Sequence, residues 1–108
     1  MDLKPYLTDI HILELTAEQI KKDFAFFSLP ITFSGNKETA YLELFNQIEP
    51  HLKELMEKDH QKFLSLLYRV DIKEQELYRN TENETSKHLT DLVIKRCLQK
   101  VILRKLYS

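Results

Sequence analysis

The sequence predicts a mainly α-helical protein, built as a compact bundle of four or five helices with at most a minor β element. Apolar residues recur at spacings of three and four along most of the chain, which is the helical period. One of the 108 residues is glycine, and the shares of apolar residues (43%) and charged residues (31%) are those of ordinary globular proteins. A chain of this length supports one core, so we expect a single domain over residues 1–108.

The first helix is predicted to begin at Thr16, because residues 16–19 have the form of a capping box. One stripe of this helix carries the apolar residues Ile20, Phe24 and Phe27. Pro30 restricts the backbone before it, so we expect the helix to end at about Ser28.

The segments on either side of this helix carry the possible β element. Residues 10–15 fit either a helix or a short strand rich in branched side chains. Residues 31–33 look extended and lead into a turn at Gly35, where a positive φ is useful. A strand at 31–33 needs a partner, and residues 10–15 are the candidate.

A longer helix is predicted from residue 38 onward. Seven apolar residues share one face of it: Tyr41, Leu44, Phe45, Ile48, Leu52, Leu55 and Met56. Pro50 lies opposite this face and removes one backbone hydrogen bond, at a cost of about 3 kcal/mol in a straight helix. We therefore expect a kink or a break near residues 46–50.

Two shorter helices and a loop are predicted next. The first starts near Asp59 and turns Phe63, Leu66, Leu67 and Val70 inward. The second starts with Asp71 as its cap and Glu74 in its first turn, and it ends at about Arg79. Residues 80–85 contain no apolar side chain and are predicted to form a loop, after which Thr85 or Ser86 caps the last helix.

The last helix is predicted over residues 86–107, and its apolar residues spread almost around the whole helical wheel. They are Leu89, Leu92, Val93, Ile94, Cys97, Leu98, Val101, Ile102, Leu103 and Leu106. Such a helix must be covered on more than one side. Either it runs through the middle of the bundle or one face packs on a partner. In so small a protein the second arrangement suggests a homodimer, with Leu98 and Ile102 as interface candidates.

The charges are unevenly distributed along the chain. Residues 1–86 carry 10 Lys/Arg against 16 Asp/Glu, whereas residues 87–108 carry 6 against 1. The basic tail includes Lys95, Arg96, Lys100, Arg104 and Lys105. These side chains could contact phosphates, but they scatter around the helix without an aromatic stacking platform. We expect salt bridges to the acidic body, and a nucleic-acid partner is the alternative hypothesis.

The sequence predicts neither a catalytic centre nor a cofactor. A single glycine disfavours loops that cradle phosphates. Cys97 is the sole cysteine, which excludes an intramolecular disulfide, and on an apolar helix we expect it to be buried and inert. Glu57 and His60 form half of a bundle di-iron motif that has no second copy, so no metal is expected.

The expected location is the cytoplasm. The N-terminal segment lacks a basic region followed by an apolar run, and nowhere do 18 apolar residues follow one another. A single cysteine fits a reducing compartment. We therefore expect no membrane partner.

Two segments resemble a family of small bacterial proteins, found mostly in Bacteroidota. They are Leu-Leu-Tyr-Arg-Val-Asp-Ile at residues 66–72 and Leu-Gln-Lys-Val-Ile-Leu-Arg-Lys at residues 98–105. The family pairs an L-L-Y-R-[IV]-D segment with a C-terminal L-Q-K-V-x-x-R stretch, and the similarity extends over residues 16–108. It has no assigned activity, so the resemblance implies a cytoplasmic bacterial protein and no particular chemistry.

The charged residues of these segments admit a structural role. Arg69, Asp71 and Arg104 can form charge-assisted bonds that lock helix ends together, with Lys100 nearby. The sequence therefore predicts a non-enzymatic interaction or scaffold protein that acts through helical surfaces as a homodimer. The alternative is a nucleic-acid accessory protein that uses the basic last helix.

Overall fold

The computed structural model describes residues 2–77, 79 and 81–107. In chain order these residues form a 3₁₀-helix (Lys4–Thr8), α1 (Ile10–Ala25), α2 (Ala40–Lys58), α3 (His60–Val70), a second 3₁₀-helix (Glu74–Glu76) and α4 (Glu82–Tyr107). The described part of the chain contains no strand. The predicted mainly α bundle is therefore confirmed, and the minor β element is wrong.

The N-cap of helix α1 lies seven residues, about two turns, before the predicted one. Asp9 is its N-cap, and Oδ1 of Asp9 accepts hydrogen bonds from the backbone N–H groups of His11 at 3.0 Å and Ile12 at 3.3 Å. Thr16 is buried inside the helix, where its hydroxyl donates to the Ile12 carbonyl at 2.8 Å. The predicted start at Thr16 is consequently wrong, and of the two alternatives for residues 10–15 the helix is the one observed.

Helix α1 ends at Ala25, earlier than predicted, in a Schellman motif. Ser28 adopts a left-handed backbone with φ 61°. Its N–H donates to the Ala25 carbonyl, and the N–H of Leu29 donates to the Phe24 carbonyl, both at 3.0 Å. These two bonds satisfy carbonyls that the end of a helix would leave open.

The segment after α1 runs extended along α2 and needs no strand partner. Gln47 accepts a hydrogen bond from the Thr32 N–H and donates one to the Thr32 carbonyl, each at 2.8 Å. Glu43 accepts from the backbone N–H and the hydroxyl of Ser34, also at 2.8 Å. Side chains of α2 thus satisfy the backbone groups that a second strand would have paired. Gly35 follows with φ +89°, as the predicted turn required.

Helix α2 passes through Pro50 as one continuous helix. The proline is exposed on the outer side, and the apolar face opposite it is buried. That face contributes Leu44, Ile48, Leu52 and Leu55 to the core. Of the two predicted alternatives, a kink or a break, the break is not observed, because burial of an unbroken apolar face offsets the hydrogen bond that the proline removes.

Helix α3 begins as predicted and ends at the residue predicted to start another helix. Asp59 caps it by accepting from the Lys62 N–H at 3.0 Å. Asp71 lies in the left-handed region with φ 73°, and the N–H of Ile72 donates to the Leu67 carbonyl at 2.9 Å. This second Schellman motif closes α3. The prediction of a helix from Asp71 to about Arg79 is wrong, since the second 3₁₀-helix takes its place, and Tyr78 lies outside the described residues.

Helix α4 begins four residues before the predicted start. The hydroxyl of Thr81 accepts from the Glu84 N–H at 3.1 Å, so Thr81 caps the helix. Thr85 and Ser86, the predicted caps, are buried inside it. The predicted loop at residues 80–85 is wrong from residue 82 onward, and Asn80 lies outside the described residues.

The buried residues of α4 come in adjacent pairs every four residues. They are Thr85, Ser86, Leu89, Thr90, Val93, Ile94, Cys97, Leu98, Val101 and Ile102. Because four residues exceed one helical turn, this face drifts around the helix along its length. Its N-terminal part packs in the main core, and its C-terminal part packs on Ile12 of α1. The buried face of α4 is thus covered by its own chain, whereas Leu106 and Tyr107 near the end of the helix are exposed.

Candidate functional site

A polar chain joins α3, α1 and α4, and it contains two of the residues predicted to lock helix ends. Nε of Arg69 donates to Oδ1 of Asp23 at 3.1 Å. Nε2 of Gln19 donates to Oδ2 of the same carboxylate at 3.1 Å, and Nη2 of Arg104 donates to Oε1 of Gln19 at 2.5 Å. Asp23 is 3% exposed, so its charge is balanced by these partners inside the bundle.

The carboxylate of Asp71 pairs with Arg96 and not with Arg69, contrary to expectation. Nη2 of Arg96 donates to Oδ2 of Asp71 at 2.7 Å, which ties the end of α3 to α4. This hydrogen bond, together with the positive charges of Arg96, Lys100 and Lys73, holds the pKa of Asp71 below its ordinary value. The residues predicted to lock helix ends therefore belong to two separate contacts. Arg69 and Arg104 belong to the polar chain through Asp23, whereas Asp71 pairs with Arg96. The positive charge of Lys100 acts on Asp71.

Leu98 and Ile102 are core residues. Each is 1% exposed, and both pack with Ile12 and Val101 between α1 and α4. A side chain that its own chain already covers has no surface to offer a partner. These two residues therefore contribute to the core of the bundle.

Cys97 is fully buried, as the sequence predicts. Its Sγ lies 4.0 Å from Oδ2 of Asp23. Burial, and then the negative charge of Asp23, raise the pKa of the thiol to about 12. The thiolate that nucleophilic chemistry requires is consequently suppressed.

The basic residues of α4 bind different acidic partners within the chain. Nζ of Lys95 lies 2.8 Å from Oδ2 of Asp91, and Arg96 is bound to Asp71. Tyr41 donates a second hydrogen bond to Asp91, and its pKa is raised by burial and by that bond. Burial opposes the charge of Asp91, yet the bonds from Lys95 and Tyr41 outweigh it and leave its pKa below the ordinary value.

The described residues provide neither a metal-binding cluster nor a membrane-spanning helix. Among residues 2–77, 79 and 81–107, no group of three His, Cys, Asp or Glu side chains is placed to hold a metal ion. In the same part of the chain, no helix combines the length and the apolar character needed to cross a bilayer.

An exposed aromatic surface lies where the end of α1 meets α3. Phe26 is 68% exposed and Tyr68 is 87% exposed, and both line a groove of about 570 Å³. The guanidinium of Arg69 covers one face of the Phe26 ring at 4.4 Å. We call this surface the aromatic patch; it is lined by Phe26, Phe27, Gln61, Leu64, Ser65, Leu67, Tyr68, Arg69, Ile72 and Leu77.

A second groove, of about 690 Å³, lies between α1 and α4. We call it the basic groove; it is lined by Leu15, Glu18, Gln19, Lys21, Lys22, Ala25, Val101, Arg104 and Lys105. Arg104 is the member of this set that the sequence singled out for both a locking role and phosphate contact. The aromatic patch and the basic groove share no lining residue.

Asp23 and Phe26 were not singled out from the sequence as functional residues, although the sequence pattern around each of them is informative. Asp23 lies directly before Phe24 on the buried stripe of α1, and an acidic residue in an apolar stripe requires a buried partner. Phe26 lies off that stripe, and a large aromatic residue on the polar side of a helix indicates an exposed ring.

Comparison with known proteins returns no family model that fits this chain, and no curated protein or solved structure matches it significantly. The resemblance to the Bacteroidota family stays a prediction.

Proposed function

We propose that the chain is a non-enzymatic interaction protein that works as a homodimer through the aromatic patch. The exposure of Phe26 and Tyr68 side by side on one groove carries this proposal. Aromatic side chains are enriched at the core of protein interfaces, and a contiguous exposed apolar patch marks an interaction site. We place the dimer contact here and not on the buried face of α4, whose residues, Leu98 and Ile102 among them, are covered by their own chain.

A second copy suits this patch because the patch carries no net charge. Among the described residues that line it, Arg69 bears the one formal charge, and Asp23 balances that charge. A twofold interface places the same surface on both subunits, so an unbalanced charge would face itself. A neutral aromatic surface meets no such repulsion.

The Arg69 guanidinium also restricts the orientation of the Phe26 ring. Its bond to Asp23 fixes the guanidinium, and the guanidinium then supports one face of the ring. A ring held in one orientation loses less conformational entropy on binding. The Phe26 side chain nevertheless remains 68% exposed.

Light scattering of the purified chain tests the homodimer. We expect a mass near twice 12.9 kDa at micromolar concentration. Tyr68→Glu places a charge in the interface, so the variant should be monomeric at concentrations where the parent is dimeric, because like charges then face each other. Circular dichroism establishes that the helices of the variant are retained.

Tyr107→Glu is the matched control, since Tyr107 is 83% exposed near the end of α4 and lies outside the patch. It should leave the mass unchanged. A monomeric parent contradicts the proposal, and so does a Tyr107→Glu variant that dissociates as readily as Tyr68→Glu.

A further inference from the structure

We propose that the basic groove binds an acidic amphipathic helix of a partner protein. This inference rests on the proposed role as an interaction protein but not on the dimer, because the groove and the aromatic patch share no residue. Three properties of the groove carry it: the charge of its rim, the apolar character of its floor and the fixed position of Arg104.

The rim of the groove has an excess of positive charge. Lys21, Lys22, Arg104 and Lys105 line it, whereas Glu18 is the acidic residue among its lining residues. Glu18 lies 3.4 Å from Lys21, so the pair is internally balanced. Three cations are left to attract carboxylates, although the chain as a whole has a net charge of −1.

The floor of the groove is apolar and lies between two helices. Leu15 and Ala25 of α1 contribute to it from one side, and Val101 of α4 contributes from the other. A helix laid in such a groove can place apolar side chains at spacings of three and four on the floor. Its acidic flanks then meet the cations of the rim.

Arg104 is held in place before any partner arrives. Its Nη2 donates to Gln19 at 2.5 Å, and Gln19 is itself bound to the buried carboxylate of Asp23. An anchored guanidinium loses little side-chain entropy when a carboxylate binds to it. It can therefore serve as an oriented recognition element.

These features favour an acidic helix over the other occupants of such a groove. Nucleic acid would use the cations but would leave the apolar floor without a partner, since single strands are held by aromatic stacking platforms. A second copy docked groove to groove would bring the two sets of cations together.

A designed peptide tests this proposal by fluorescence anisotropy with the full chain. The probe is a fluorescein-labelled helix of about 18 residues with leucine at spacings of three and four and glutamate at most other positions. We expect saturable binding that weakens as salt is raised from about 50 mM to about 500 mM, because added ions screen the rim. A scrambled peptide of identical composition has no apolar stripe and should bind at least about tenfold more weakly.

Charge reversal locates the site. The Lys22→Glu/Lys105→Glu double variant changes two exposed rim residues and should weaken binding by about tenfold or more. Lys37→Glu/Lys87→Glu is the matched control, with the same change in net charge at exposed lysines outside the groove, and it should bind as the parent does. The mass of each variant, measured by light scattering, reports on the aromatic-patch dimer independently.

Several outcomes overturn the proposal. One is equal binding of the two peptides, which shows charge attraction without the apolar floor. Another is equal weakening by both double variants, which shows that net charge alone acts. Tighter binding of a labelled 20-nucleotide single strand than of the peptide assigns the groove to nucleic acid, and absence of peptide binding at low salt removes the docking function altogether.

Discussion

Arg69 of α3 donates a hydrogen bond to the buried carboxylate of Asp23 on α1 over 3.1 Å. The two residues lie 46 positions apart in the chain. The same guanidinium covers Phe26, so one side chain balances a buried charge and supports the exposed ring of the aromatic patch. The stability of the bundle and the shape of its candidate interface therefore depend on one contact.

Replacing Arg69 by methionine should destabilise the protein by about 2–3 kcal/mol. The variant leaves the Asp23 carboxylate buried without a cation, and the value lies below that of a fully buried pair because the Arg69 side chain is 33% exposed. Urea unfolding of the parent, Arg69→Met, Asp23→Asn and the double variant measures the coupling. If the cost of Arg69→Met is the same in the Asp23→Asn background, the ion pair does not contribute.

Acid should remove the stabilisation supplied by the Asp71–Arg96 pair. The pKa of Asp71 is lower in the folded protein than in the unfolded chain, where it is about 3.9. Stabilisation from this carboxylate is therefore present above about pH 4 and is lost as the pH falls through the folded pKa. The urea midpoints of the parent and of Asp71→Asn should differ at pH 7 and converge near pH 2. A constant difference at both pH values would contradict this assignment.

Glycine at position 28 should stabilise the protein by about 0.5–1 kcal/mol. Ser28 has φ 61° at the end of α1, where a residue without a Cβ avoids steric strain. Gly35→Ala is the reciprocal change, since φ is +89° there and, apart from the adjacent residues 34 and 36, no atom lies within 4 Å of an added Cβ. It should destabilise by about 1 kcal/mol through backbone strain alone. Thermal unfolding measures both, and a lower melting temperature for Ser28→Gly would refute the strain argument.

Leu98→Ala should lower stability by about 2–5 kcal/mol while the molecular mass stays unchanged. The side chain is buried between α1 and α4, so truncation leaves a cavity in the core. Urea unfolding gives the stability, and light scattering gives the mass. Loss of a dimer with unchanged stability would instead place Leu98 at an interface between chains.

Local signals predicted α2 and α3 well. The apolar stripe of α2 spans several turns, and Asp59 is an N-cap with no competitor nearby. The start of α1 was missed because Asp9 and Thr16 offer two caps seven residues apart, and packing of Ile12 on α4 favours the earlier one. The sequence left a strand at residues 31–33 open, because no local pattern indicates that a side chain of α2 supplies the hydrogen bonds of Thr32.

The candidate surfaces were partly accessible from sequence. Arg104 was singled out for a locking role, but its acceptor, Gln19, lies 85 positions earlier in the chain and has no local signal. Leu98 and Ile102 were assigned to an interface because the wheel of α4 looked apolar on all sides. In the structure the buried pairs of α4 drift around the helix, and both residues lie in a core cluster with Ile12 of α1.

The sequence by itself determined the helical class and most of the inward-facing side chains, because helical periodicity and capping act over a few residues. The tertiary structure alone decided which charges pair, which cap begins α1 and α4, and which apolar residues stay exposed. Those outcomes depend on contacts between residues distant in the chain, as with Arg69 and Asp23, and such contacts exist only once the helices have packed.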